Sequence, residues 1–234
     1  MTGGREEVPP GTSVPSMGNV PVRGTAAPGR RTQRDALLAA AERLFAEQGV
    51  DATSLRAVMA EAGTNVAAVR YHFGSKDDLL AALIRTRSEE VGRAREDLLT
   101  ALEASPEPTA RGLAATLVEP VAALALSGDD TWVRLLNTIV TTRREPGWRI
   151  LSETFEPQAV RLGLLLRRIR PALGPSTVRF RLAEATSLSI RVLGDLEFVR
   201  ANVAHRSGPV PARAVVDDLL DAVEAVLAGP SRES

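Results

Sequence analysis

The 234-residue chain is 44% apolar and 25% charged, which describes a globular protein able to bury a substantial core. Its 29 basic residues balance 29 acidic ones, so bulk charge advertises neither nucleic acid nor membrane, and an anionic partner must be met by a local patch. The absence of cysteine excludes disulfides and thiol chemistry. With no secretory apolar run at the start and no eighteen-residue apolar stretch, a cytoplasmic protein without a membrane partner is expected.

Residues 1–31 hold Pro9, Pro10, Pro15, Pro21 and Pro28 among glycines with almost no apolar periodicity, so a disordered tail is expected. From Thr32 the spacing turns helical, with Leu37, Ala41, Leu44 and Phe45 on one face and Gly49 as the stop. Thr53 and Ser54 can cap a second helix whose inward residues are Leu55, Val58 and Met59, and Gly63 can end it. Asn65 can cap a third, very short helix from Val66 to about His72. Ser75 and Asp78 form a capping box that opens a fourth helix running to about Glu103. Beyond Pro106 and Pro108 the helical pattern continues over about 109–126, 130–144, 147–170, 175–204 and 211–228, with a short tail over 229–234. Pro157 should kink or interrupt the helix that contains it. The result is an all-α fold of about nine helices, divided into a three-helix unit over 32–78 and a larger helical unit over 79–228.

The stretch AGTNVAAVRYHFGSK, residues 62–76, holds the only tyrosine and the only lysine. Two helices joined by a tight glycine turn, the second about two turns long, match the helix-turn-helix layout whose second helix enters the DNA major groove. Ala67 and Ala68 are small enough for close approach to a rigid partner. Thr53, Ser54, Arg56, Asn65, Arg70, Tyr71, His72 and Lys76 supply hydrogen-bonding groups around them. The competing reading is that Tyr71, His72 and Phe73 plug the helix junction, which is the preferred role for Phe73. Seven basic and seven acidic residues between 30 and 80 mean that any basic patch must come from geometry.

Over residues 32–80 the sequence resembles the DNA-binding domain of the TetR family of transcriptional regulators. The resemblance rests on "LFAEQG" closing the first helix, "ATSLRAVMAEAG" for the second, and "YHFGSKDDLL" leading into the fourth. Members often carry an aromatic residue at the position of Arg70; arginine there can read guanine. Lys76, opening the fourth helix, is expected to touch phosphate only. The resemblance implies a homodimer on palindromic double-stranded DNA, a ligand cavity among the middle helices, and repression relieved by a small-molecule effector. A family member without an effector, or an activator, stays open as an alternative.

In the larger unit, Trp132, Asn137, Thr141, Trp148 and Phe155 lie among leucines and are the candidates for an effector pocket. The apolar face over 211–228 is wider than one partner needs, so Val216, Leu220, Val223 and Leu227, with Val192 and Leu196 of the preceding helix, are the candidates for a dimer interface. An enzyme is not expected: His72 and His205 are far apart in sequence, no metal-ligand spacing or glycine-rich phosphate loop occurs, and Asp129, Asp130, Asp217 and Asp218 suit helix starts and solvated faces. No cofactor is implied.

Overall fold

The first helix begins where Thr32 and Asp35 cap each other's backbone. The Thr32 hydroxyl accepts from the Asp35 amide at 3.1 Å and the Asp35 carboxylate accepts from the Thr32 amide at 3.3 Å. This computed structural model describes residues 32–65, 69, 71–128 and 130–230, so the expected tail over 1–31 and the end of the chain beyond 230 lie outside the described residues.

Nine helices and no strand occur among the described residues: α1 Gln33–Gln48, α2 Leu55–Glu61, α3 Lys76–Ala104, α4 Ala110–Leu126, α5 Thr131–Thr142, α6 Gly147–Ile169, α7 Pro175–Gly194, α8 Leu196–Ser207 and α9 Ala212–Ala228. Short-range signals set most of the boundaries. Gly49 ends α1 at φ 85°, Ser54 caps α2 through the Ala57 amide at 3.1 Å, and Gly63 turns at φ 62°. Ser75 caps α3 through the Asp78 amide at 3.1 Å, but its hydroxyl also donates to the Asp78 carboxylate at 2.6 Å, and its own amide bonds Phe73 O instead. Helix α6 runs through Pro157 without interruption; the proline is exposed, so the carbonyl it leaves unbonded can be met by water. The helix expected over 175–204 is two helices, broken at Asp195 (φ −135°, ψ 38°). The break follows Gly194, where α7 comes so close to α5 that a Cβ would stand 2.5 Å from Asn137.

Two apolar cores result. The first lies under α1, α2 and the start of α3, with Leu37, Phe45, Val58, Val69, Leu79 and Ile84 at its centre. The amino-terminal helices do not close this core themselves. Trp132, Leu135, Leu136 and Ile139 of α5 and Ile150 and Leu151 of α6 complete it. The second core joins the far half of α3 to α4, α6, α7 and α9 through Leu99, Leu117, Leu166, Val178, Leu220 and Val223. Arg161 of α6 bolts the outside of this region to α3, bonding Glu96 at 2.6 Å and Glu103 at 2.7 Å.

Helix α9 departs from expectation. Val216, Leu220, Val223 and Leu227 are all at most 3% exposed within one chain. The wide apolar face is consumed by α4 on one side and α7 on the other, both against the same protomer. Leu196 is buried and Val192 half-buried as well. Five of these six residues are therefore interior positions and Val192 is partly covered, while the solvent side of α9 carries Asp217, Asp218 and Asp221. Large apolar side chains left uncovered stand elsewhere: Val160 and Leu164 on α6, Phe180 on α7 and Phe198 on α8.

Candidate DNA-binding surface and ligand cavity

Around the α1–α2 turn, several residues expected at a DNA surface are occupied by the chain's own backbone. Thr53 is 1% exposed, and its hydroxyl donates to Leu44 O at 3.1 Å and Gly49 O at 2.8 Å. Lys76 turns its ammonium inward, where Nζ donates to Val50 O at 2.8 Å and to Asp51 O and Thr53 O at 3.2 Å. All three of its N–H donors are thus met by acceptors of the same turn. Both residues hold the turn in shape, which departs from the expectation of direct contact. Ser54 is exposed but its oxygen serves as the α2 cap.

Other members of the set do face outward. Arg56 and Asn65 are exposed, and Tyr71 is 85% exposed with its ring edge-on to His72 at 4.9 Å. His72 is half-buried, and Phe73 is buried beneath the Arg34 guanidinium, as its phenyl ring requires. Ala67, Ala68 and Arg70 lie outside the described residues, as does Val66. After them the Phe73 and Gly74 amides donate to Val69 O at 2.9 and 3.0 Å.

Behind this unit, α3 to α7 enclose a cavity of about 420 Å³. Two of the five expected residues line it, Trp148 and Phe155, together with Leu136, Val140, Leu162 and Ile190. The other three do not, because successive residues of α5 rotate by about 100°. Trp132 points with Leu135 and Ile139 into the core beneath α1 and is 1% exposed; its indole N–H has no acceptor among the described residues. Asn137 faces Gly194 of α7, with Oδ1 buried and unbonded. Thr141 is exposed and its hydroxyl donates to Asn137 O at 2.7 Å. Only Leu136 and Val140 lie at the angle that reaches the cavity.

Sequence reasoning missed Arg95. It sits between Val91 and Leu99 on the buried face of α3, and an arginine inside that apolar stripe was the available signal. It is 8% exposed and lines the cavity. Its Nε donates to Thr116 O at 3.3 Å, the carbonyl that Pro120 leaves without its helical amide partner. Nη1 donates to Gln158 Oε1 at 3.4 Å, and the guanidinium lies 5.2 Å from the centroid of Phe155. The Gln158 amide is oriented by its other end, which donates to Gly92 O at 3.2 Å. Burial lowers the Arg95 pKa to about 10, since no carboxylate among the described residues pairs with it. Arg143 takes the left-handed conformation that ends α5 (φ 50°) and lays its guanidinium over Trp148 at 5.5 Å, at the edge of the same cavity.

The cavity and the amino-terminal helices are joined by shared parts. Leu136 belongs both to the cavity wall and to the core under α1. Arg87 of α3 forms a two-pronged pair with Glu42 of α1 at 2.8 and 2.7 Å, and Arg144 at the end of α5 pairs with Asp51 in the α1–α2 turn.

A helix-turn-helix-like unit whose core is completed by a cavity-bearing helical bundle is the build of the all-helical, ligand-binding transcriptional regulators. Residues 37–83 match the family model of the bacterial regulatory proteins of the tetR family, and residues 115–225 match that of the tetracyclin repressor-like C-terminal domain. The chain belongs to the TetR family of transcriptional regulators. It is 34% identical over 98 residues to the HTH-type transcriptional regulator BetI of Rhizobium meliloti, a match covering 42% of each chain. It is 40% identical over 75 residues to the HTH-type transcriptional dual regulator CecR of Shigella flexneri, covering 31% of this chain and 33% of that one. The matched part is thus less than half the length of either relative. The structure of AibR in complex with isovaleryl coenzyme A and operator DNA superposes with a TM-score of 0.57 at 16% identity, over 82% of this chain and 97% of that one, and shares the fold. No described helix is long and apolar enough to cross a membrane.

Proposed function

We propose that the protein is a homodimeric repressor that binds a palindromic operator in the cytoplasm and is released by a small molecule held in the cavity between α3 and α7. The observation that carries this reading is that α5 serves two sites. One edge of it lines the cavity at Leu136 and Val140, and another fills the core under α1 with Trp132, Leu135 and Ile139. A ligand that displaces α5 acts on packing directly beneath the DNA-binding helices, and packed cores respond by discrete rearrangement. The ties from Arg87 to Glu42 and from Arg144 to Asp51 supply two further links.

An 85% exposed tyrosine beside the glycine-bounded helical turn supports a partner on that face, and Arg56, Asn65 and Tyr71 are the described residues offered to it. Arg70, Ala67 and Ala68 belong to the same proposed surface by sequence. Self-association is assigned to α6 and α7, where Val160, Leu164 and Phe180 are 58–64% exposed. AibR, solved with both an acyl-coenzyme A and operator DNA, is a precedent for the two ligands on this fold.

The test is selection of binding sites from random duplex DNA, followed by a thermal-shift screen of small molecules and retitration of the selected site with each hit. A palindromic site whose affinity falls when a hit saturates the protein supports the reading. Failure to enrich any duplex, or hits that leave operator affinity unchanged, would overturn it.

A further inference from the structure

We propose that the ligand of the cavity is a carboxylate with an apolar body, its oxyanion held by Arg95 and its chain or ring lying among Leu136, Val140, Phe155, Leu162 and Ile190. The proposal rests on the reading of this cavity as the effector site and specifies what that site recognises.

Two arginines, Arg95 and Arg181, are buried among the described residues, and a third, Arg87, is partly so. Arg181 is 9% exposed, and its guanidinium meets Leu227 O, Gly229 O and Pro230 O at 2.7–3.0 Å, which anchors the end of α9. Arg87 is matched to the Glu42 carboxylate. Arg95 is as buried as Arg181, yet among the described residues it has only two acceptors, both neutral and both at the long end of hydrogen-bonding distance, and Nη2 donates to none of them. A charge taken out of water needs a counter-charge or a full set of acceptors, and Arg95 has neither among the described residues. Arg95 is itself part of the cavity lining.

The rest of the wall agrees in sign. Three arginines, Arg95, Arg143 and Arg179, line the cavity, and none of its described lining residues is acidic. The remaining surface is mainly aliphatic and aromatic, with Ser152, Thr186 and Ser187 as small polar points. A cationic ligand has nothing to pair with there. A neutral apolar one leaves the guanidinium uncompensated. A planar carboxylate offers two oxygens to the guanidinium fork in the geometry that favours the pair.

Part of Arg95 has a structural task, because Nε meets the carbonyl freed by Pro120. The experiment separates the two tasks. Octanoate and 3-phenylpropionate, each with its primary amide, and octanoyl-coenzyme A are titrated by calorimetry into wild type, Arg95→Gln, Pro120→Ala and the double variant Pro120→Ala/Arg95→Gln. In the Pro120→Ala background the Thr116 carbonyl regains its helical amide, so loss of Arg95 leaves no orphaned acceptor. The expected result is that at least one acid binds wild type at least about tenfold tighter than its amide, and that Arg95→Gln abolishes this preference in both backgrounds while amide affinity is unchanged. Acid and amide binding equally would overturn the carboxylate assignment and leave the cavity standing as an effector site. Octanoyl-coenzyme A binding tighter than octanoate would overturn it in favour of a thioester. No probe binding at millimolar concentration would overturn it, whereas the operator-release screen judges the cavity reading separately with unrelated compounds.

Discussion

The turn around Lys76 and the wall around Arg95 treat buried polar groups in opposite ways. Around the α1–α2 turn the polar side chains are matched to nearby backbone, Thr53 to two carbonyls, Lys76 to three, Ser54 and Ser75 to the first amides of their helices, and the exception in the amino-terminal helices is the buried Thr64 hydroxyl just after α2. In the cavity wall Arg95 is short of acceptors among the described residues, both of those it has being neutral and distant. Matched groups fix a shape, while under-matched groups persist where something other than folding retains them. On the proposed function, the turn with matched groups is the part offered to DNA and the wall around Arg95 the part offered to a ligand.

The contrast is broken most severely at Leu220. It is 3% exposed against the chain's own α4 and α7, so Leu220→Glu should destabilise the fold by about 3 to 5 kcal/mol, seen as a large drop in the thermal midpoint. Phe180→Glu, at a position 64% exposed, should change the midpoint by less than about 0.5 kcal/mol equivalent and instead reduce the mass measured by light scattering to that of one chain. A folded, monomeric Leu220→Glu would return the interface to α9.

The next effect concerns the turn. Lys76→Ala removes a cation from three carbonyls and should lower stability by about 1.5 to 3 kcal/mol, measured by urea unfolding. If Lys76 were instead a free phosphate contact, stability would be unchanged and only the salt dependence of operator affinity would fall. Thr53→Val should cost about 1 kcal/mol in the same assay. The smallest expected effect on stability is at Tyr71: Tyr71→Ala should leave unfolding within about 0.5 kcal/mol and weaken operator binding by about 1 kcal/mol.

Local chemistry was legible in the sequence, and long-range partition was not. The boundaries signalled by Gly49, Ser54, Gly63 and Ser75 fall where the sequence places them, because a cap or a left-handed glycine acts within a few residues of itself. The stripe of Val216, Leu220, Val223 and Leu227 records that a face is buried but not by which chain, so an interior was read as an interface. Tryptophan at 132 and asparagine at 137 have the composition of a pocket, yet the rotation of α5 that separates them from Leu136 and Val140 is set by packing on α1 and α7. Arg95 stands in the sequence as a charge in an apolar stripe, and Gly194 stands at the break before α8, the two signals that a helical periodicity by itself does not weigh.

The central claim is that the cavity and the DNA surface share one set of packed side chains, and linkage tests it most directly. Operator affinity is measured with and without a saturating cavity ligand, and ligand affinity with and without saturating operator, on the same preparation. The account predicts that each weakens the other, and by the same factor, since coupling between two binding sites is reciprocal. A ligand that protects the cavity-lining segments of α6 and α7 from hydrogen exchange at full occupancy, yet leaves operator affinity unchanged, would contradict it.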